Sequence, residues 1–116
     1  MARTVEQIVK EHTDKLLARD LDGVMADFTE ESFMISPQGI VKGLDALRAH
    51  FAGTIQGVLT PDVKAETLLI RTEGNIGYCI WKADGDRFSI PFATDTFVIE
   101  NDKIMVQTFG AAVNKK

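Results

Sequence analysis

The chain of 116 residues is short enough to be one domain, 1–116, and long enough to bury one core with room for a pocket. Hydrophobic residues make up 45% and charged residues 26%, the balance of a folded globular domain rather than a disordered one. A net charge of −4 with no basic cluster beyond Lys115-Lys116 speaks against nucleic acid as a partner, and one cysteine with two histidines leaves neither an internal disulfide nor a zinc set.

Met1 to Arg3 leads into a polar helix without an apolar run, so no signal peptide or membrane span is expected, and the cytoplasm is the expected compartment. Val5, Ile8, Val9, Leu16 and Leu17 recur at helical spacing and predict a helix over about Val5 to Arg19, opened by a Thr4/Gln7 capping box. Asp20 caps a second helix over Leu21 to Phe28, weakened by Gly23. Ser32 to Ser36 reads as a strand, Pro37-Gln38-Gly39 as a turn and Ile40-Val41 as a return strand. Leu44, Leu47, Phe51 and Ile55 form the stripe of a third helix that closes near Gly57. Four strands follow, about Val63 to Thr72, Ile76 to Ala83, Phe88 to Ile99 and Ile104 to Val113. Glu73-Gly74-Asn75, Asp84-Gly85-Asp86 and Asn101-Asp102 are the turns between them. Connections this short make consecutive strands antiparallel. The expected fold class is α+β, with N-terminal helices covering one face of a curved antiparallel sheet.

Two residues carry most of the chemical interest. His12 lies between Ile8, Val9 and Leu16 on the apolar stripe of the first helix. A histidine there is either a core residue bonded to a carbonyl or water, or a polar group at the wall of a cavity. Asp95 shares strand parity with Pro91, Ala93, Phe97 and Ile99, so a carboxylate interrupts an apolar face. It forms a surface ion pair with a residue such as Arg71 or Lys82, or it lines a pocket as an acid, base or hydrogen-bond anchor. His50 falls off its helical stripe and reads as solvated, and Cys79 reads as a structural thiol. Tyr78 and Trp81 take opposite faces of one strand, and the inward one is placed to stack on a ligand. Ser36 and Ser89 lack the surroundings of a nucleophilic serine, and no phosphate-binding, dinucleotide-binding or calcium loop is present, so no cofactor is expected.

The element order, together with Asp20-Leu21-Asp22-Gly23-Val24-Met25, Ile40-Val41-Lys42-Gly43-Leu44-Asp45-Ala46-Leu47 and the tail from Asp95 to Ile104, resembles the nuclear transport factor 2-like superfamily. Its branch of SnoaL-like polyketide cyclases and ketosteroid isomerases is the nearest match. The resemblance implies a cone-shaped α+β barrel of cystatin-like architecture, a deep apolar pocket and a homodimer through the outer sheet face. It places the isomerases' oxyanion-binding tyrosine at His12 and their protonated aspartate at Asp95. Their general-base aspartate falls on Ser36, which has no suitable pKa, so ketosteroid isomerisation by that route is not expected. The implied reading is a pocket for a small apolar carbonyl or hydroxyl compound. His12 and Asp95 would be its catalytic pair, in direct contact or through one water, with Asp95 raising the histidine pKa. Ser36, Phe51, Tyr78, Trp81, Phe97, Gln107 and Phe109 would contact the ligand. A non-catalytic binding protein and a dimeric interaction module are the alternatives.

Overall fold

The computed structural model describes residues 3–116, in which three helices pack on a curved six-stranded sheet. Helix α1 spans Val5–Leu17 and α2 spans Leu21–Met25; β1 (Phe28–Ser36), β2 (Gly39–Lys42), α3 (Leu44–Gly57), β3 (Lys64–Glu73), β4 (Ile76–Asp84), β5 (Phe88–Glu100) and β6 (Lys103–Lys115) follow. The Thr4 hydroxyl accepts from the Gln7 amide while the Gln7 side chain accepts from the Thr4 amide, so the capping box opens α1 as its sequence requires. Helix α1 stops at Leu17 rather than Arg19, because Arg19 turns into the left-handed region at φ 62°. Asp20 then caps α2 through the Gly23 amide.

Two expectations need correction. Phe28 is the first residue of β1, not the end of α2; it pairs with Ile104, and a register shift separates it from the Phe33 pair. The sheet is also not wholly antiparallel, since its order is β2-β1-β6-β5-β4-β3 and β1 runs parallel to β6. The four late strands do form the antiparallel meander that their short turns dictate. The β1–β2 hairpin joins its far side because α3 carries the chain across the sheet before β3 begins. Edges β2 and β3 stay unpaired with each other, so the sheet curves without closing into a barrel.

Register shifts in β3, β4 and β5 bend the strands and set the inward residues. On β5, Ala93, Asp95, Phe97 and Ile99 face inward, while Phe92, Thr94, Thr96 and Val98 face outward. Ile8 and Val9 of α1, Leu47 and Phe51 of α3, and Met34, Cys79, Phe97 and Ile104 of the sheet form the main core. Helix α1 reaches the sheet at Gly77, where a Cβ would lie 2.5 Å from Val9 Cγ2. Among the described residues no helix is long and apolar enough to cross a membrane.

Arg3 ties the start of α1 to both ends of the fold. Its guanidinium donates to Asp27 at 2.8 Å and to Asp102, and also pairs with Glu11 at 3.2 Å. Its backbone amide donates to the Asp102 carboxylate. Asp27 is buried, and Lys15 at 3.8 Å is its other cation. Removing one partner of a buried pair strands the other charge. Arg3→Ala should therefore lower the unfolding free energy by ~3 kcal/mol in a denaturant titration, and a loss under ~1 kcal/mol would show the clamp to be incidental.

Candidate functional site

Helices α1 and α3 lie across the concave sheet face and enclose a cavity of about 370 Å³. That volume sits in the lower part of the range of small-molecule sites. His12, Thr13, Leu16 and Leu17 line it from α1, His50, Phe51 and Thr54 from α3, and Cys79, Trp81, Asp95, Gln107 and Phe109 from the central strands. Most of this wall is apolar, and no lysine or arginine contributes to it.

Asp95 is buried on β5. One carboxylate oxygen accepts from Trp81 Nε1 at 3.2 Å and the other from Gln107 Nε2 at 2.9 Å. Each donor comes from a neighbouring strand, as inward-facing residues of β4 and β6 must. The surface ion pair is thereby excluded: Arg71 donates to a backbone carbonyl and Lys82 pairs with Glu66. With no cation beside it, burial pushes the Asp95 pKa up to about 6, and its two neutral donors only partly oppose this. The aromatic planes of Trp81 and Phe109 stack at 6.0 Å beside it.

His12 is also buried, but it does not pair with Asp95. Its ring meets Phe28, Phe51 and Phe97 at 5.8, 5.7 and 5.3 Å in edge-on geometry, and neither ring nitrogen has a hydrogen-bond partner. Burial pushes its pKa down to about 4, and the charges it senses are Asp27 and Lys15 rather than Asp95. The expectation of direct contact and of a raised histidine pKa is therefore corrected. Desolvation by three phenylalanines outweighs any carboxylate, and the imidazole is neutral at pH 7.

The remaining candidates divide. Phe51, Trp81, Gln107 and Phe109 line the cavity. Tyr78 does not, because it alternates with Cys79 and Trp81 onto the outer face. Ser36 ends β1, where its hydroxyl donates to the Gln38 side chain, and Gln38 rather than Ser36 reaches the cavity. Phe97 packs against His12 in the core and contributes no cavity surface. Cys79 is buried with its pKa pushed up to about 12, an inert thiol. His50, read as solvated, lines the cavity half-buried, and burial lowers its pKa. It lies one position from Phe51, and its ring packs edge-on to that residue. Glu66 and Thr67 of β3 were also missed, although strand alternation from Ala65 was the signal for Thr67. Among the described residues, no three His, Cys, Asp or Glu side chains group as metal ligands.

Comparison with known proteins follows the same lines. The SnoaL-like domain profile matches residues 9–107. No curated protein sequence matches the chain. A nuclear transport factor 2-like protein from Cytophaga hutchinsonii superposes with a TM-score of 0.79 at 15% identity, over 97% of this chain and 93% of that one. The epoxide hydrolase/cyclase-like enzyme SalBIII, of pyran ring formation in the polyether salinomycin, superposes with a TM-score of 0.79 at 19% identity, over 97% and 95%. A de novo designed protein with a curved β-sheet fits as well, with a TM-score of 0.80 at 12% identity over 97% and 88%. Shape alone is thus shared with a protein that no natural reaction selected, and chemistry has to be argued from the cavity.

The two buried titrating groups act on stability in opposite directions. His12 is depressed from 6.5 to about 4, so the unfolded chain takes up its proton first, and stability present above pH 6.5 is lost as pH falls toward 4. Asp95 is raised from 3.8 to about 6, so the folded chain takes up its proton first, and stability is gained as pH falls from 6 toward 3.8. His12→Leu should flatten or reverse the loss of melting temperature between pH 7 and pH 5, and Asp95→Asn should steepen it. Identical pH profiles for the two variants would contradict these assignments.

Proposed function

The chain belongs to the SnoaL-like domain family, and from that premise we propose that it is an acid–base enzyme of isomerase, cyclase or lyase type acting on a small, mostly apolar carbonyl or hydroxyl compound. The supporting observation is the Asp95 carboxyl, which stands in an apolar cavity between two neutral donors with its pKa moved to about 6. A group that titrates near the working pH both takes and returns protons efficiently. In this reading Asp95 accepts a proton from a carbon or hydroxyl of the substrate. For a carbonyl compound the released electron pair moves onto the carbonyl oxygen, and the carboxylic acid then delivers the proton at a second atom. Ring closure through a hydroxyl, the kind of step suggested by the neighbour from pyran ring formation, uses the same proton acceptor. The hydroxyl oxygen bonds to an epoxide carbon as that carbon's C–O bond breaks, and the Asp95 acid returns the proton to the oxygen released. His12 is neutral and stands at the cavity wall as an uncharged ring rather than as a cationic acid. Trp81 and Phe109 offer flat surfaces to a planar substrate.

A screen of small ketones, enones and alcohols by thermal shift, followed by mass and NMR analysis of each binder, tests the reading. Turnover should fall ~10²–10⁴-fold in Asp95→Asn while binding persists. Binders that return chemically unchanged would support the non-catalytic alternative.

The same reading includes a homodimer through the outer sheet face. Ile76 with Val98, Tyr78 with Thr96, and Ile80 with Thr94 are register pairs that run as a half-apolar band across β4 and β5, and Phe92 beside it is 51% exposed. A band of this kind on an uncovered sheet commonly marks an interface. Light scattering should give twice the monomer mass at micromolar concentration, and Phe92→Glu should shift it toward the monomer.

A further inference from the structure

Gln107 is almost wholly buried, its Nε2 donates to Asp95 Oδ2 at 2.9 Å, and its Oε1 has no partner. An unpaired buried carbonyl is a sizeable penalty to leave standing beside a satisfied amide. The second donor to Asp95 is of a different kind: an indole N–H only donates, so Trp81 can serve the carboxylate oxygen it holds in one way alone. A primary amide presents a donor at one end and an acceptor at the other, related by a half-turn about its terminal bond.

When the carboxyl gains a proton on Oδ2, the present arrangement sets an O–H donor against an N–H donor. A half-turn of Gln107 removes the conflict: Oε1 gains the carboxylic acid hydroxyl as donor, Nε2 turns to the side that Oε1 now faces, and Trp81 keeps its bond to Oδ1. We infer that Gln107 is the positioning residue for proton transfer at Asp95, donating through Nε2 to the carboxylate and, once turned, accepting through Oε1 from the carboxylic acid. The inference rests on the reading of Asp95 as the acid–base group. It assigns that group a partner able to satisfy both of its protonation states, so that neither is left with an unmatched hydrogen bond.

The other titratable groups on the cavity wall are His12 from α1, His50 from α3, Glu66 from β3 and Cys79 from β4. Burial pushes the Cys79 pKa up to about 12 and the His12 pKa down to about 4, both away from the Asp95 midpoint. The Asp95→Asn control separates Asp95 from His50, whose pKa burial lowers.

The test follows the Gln107 side-chain amide and the Asp95 carboxyl carbon by NMR from about pH 8 to about pH 4.5, across the span in which a raised carboxyl and a histidine titrate. The two should move together with one midpoint, and Asp95→Asn should hold the Gln107 amide still throughout. Gln107→Met should raise the Asp95 midpoint by about one pH unit, because a donor to the charged form is worth more than an acceptor to the neutral one. Trp81→Phe, which removes the one-way donor, should raise that midpoint while the Gln107 amide still follows it. A Gln107 amide that stays still while the carboxyl titrates overturns the inference, as does movement that persists in Asp95→Asn. These readouts need no substrate. Coupled titration without any turnover would sink the enzymatic reading alone, and turnover with an amide that ignores Asp95 would sink this inference alone.

Discussion

The close seat of α1 on β4 governs the rest of the molecule. Any side chain at position 77 would collide with Val9 and also crowd Val5, so glycine there lets the helix lie directly on the concave sheet. That seat fixes the level at which the α1 stripe crosses the strands. Ile8 and Val9 seal one end as core, and His12 and Thr13, one turn further on, and Leu16, two turns on, become wall. Had α1 been held one side chain's thickness away, the phenylalanine cage around His12 would open to water, and the desolvation that keeps its imidazole neutral would be lost.

The two buried carboxylates of this interior are held by different kinds of partner. Asp27 is neutralised by Arg3 and Lys15 at the base of the fold, and Asp95 is held by amide and indole N–H groups without a cation. The first arrangement sets the carboxylate against two cations and ties α1 to the base of the fold; the second leaves the carboxyl without a cation, and burial pushes its pKa up to about 6. One fold thus places two buried carboxylates in environments that push them toward different tasks.

Much of this could be read in the sequence, and the failures have physical causes. Local signals were sound where the chemistry is local: the Thr4/Gln7 box, the Asp20 cap and the turns of the meander all form as their residues require. Parity along β5 grouped Asp95 with Ala93, Phe97 and Ile99, which all face inward, but it left the face itself open. Pro91 of the same set is exposed because a register shift between Ser89 and Phe92 breaks the alternation. The parallel β1–β6 pairing was not legible, since it joins segments far apart in the chain and no residue between them encodes a direction. The supposed His12–Asp95 contact failed for a related reason. Helical and strand periodicity state which face a residue takes, but not its depth or what stands between two inward groups. The Asp95 donors could have been sought on paper, because Trp81 and Gln107 are inward residues of the strands that flank it.

The parallel pairing also bears on how the molecule comes into being. Strand β1 finds its long-range partner in β6, with α3 and three strands of the meander made between them. Loop closure over that span is a slow event compared with the zipping of the β3-to-β6 hairpins. Until it occurs, β1 is paired on one side only, and the side that will join β6 offers free backbone groups to any passing strand. On a ribosome that interval lasts at least as long as the synthesis of the intervening residues, on the order of several seconds. Val106 to Thr108, where β6 locks against Phe33 to Ile35, are therefore the residues whose arrival ends the period in which a nascent chain of this protein is most open to misassembly.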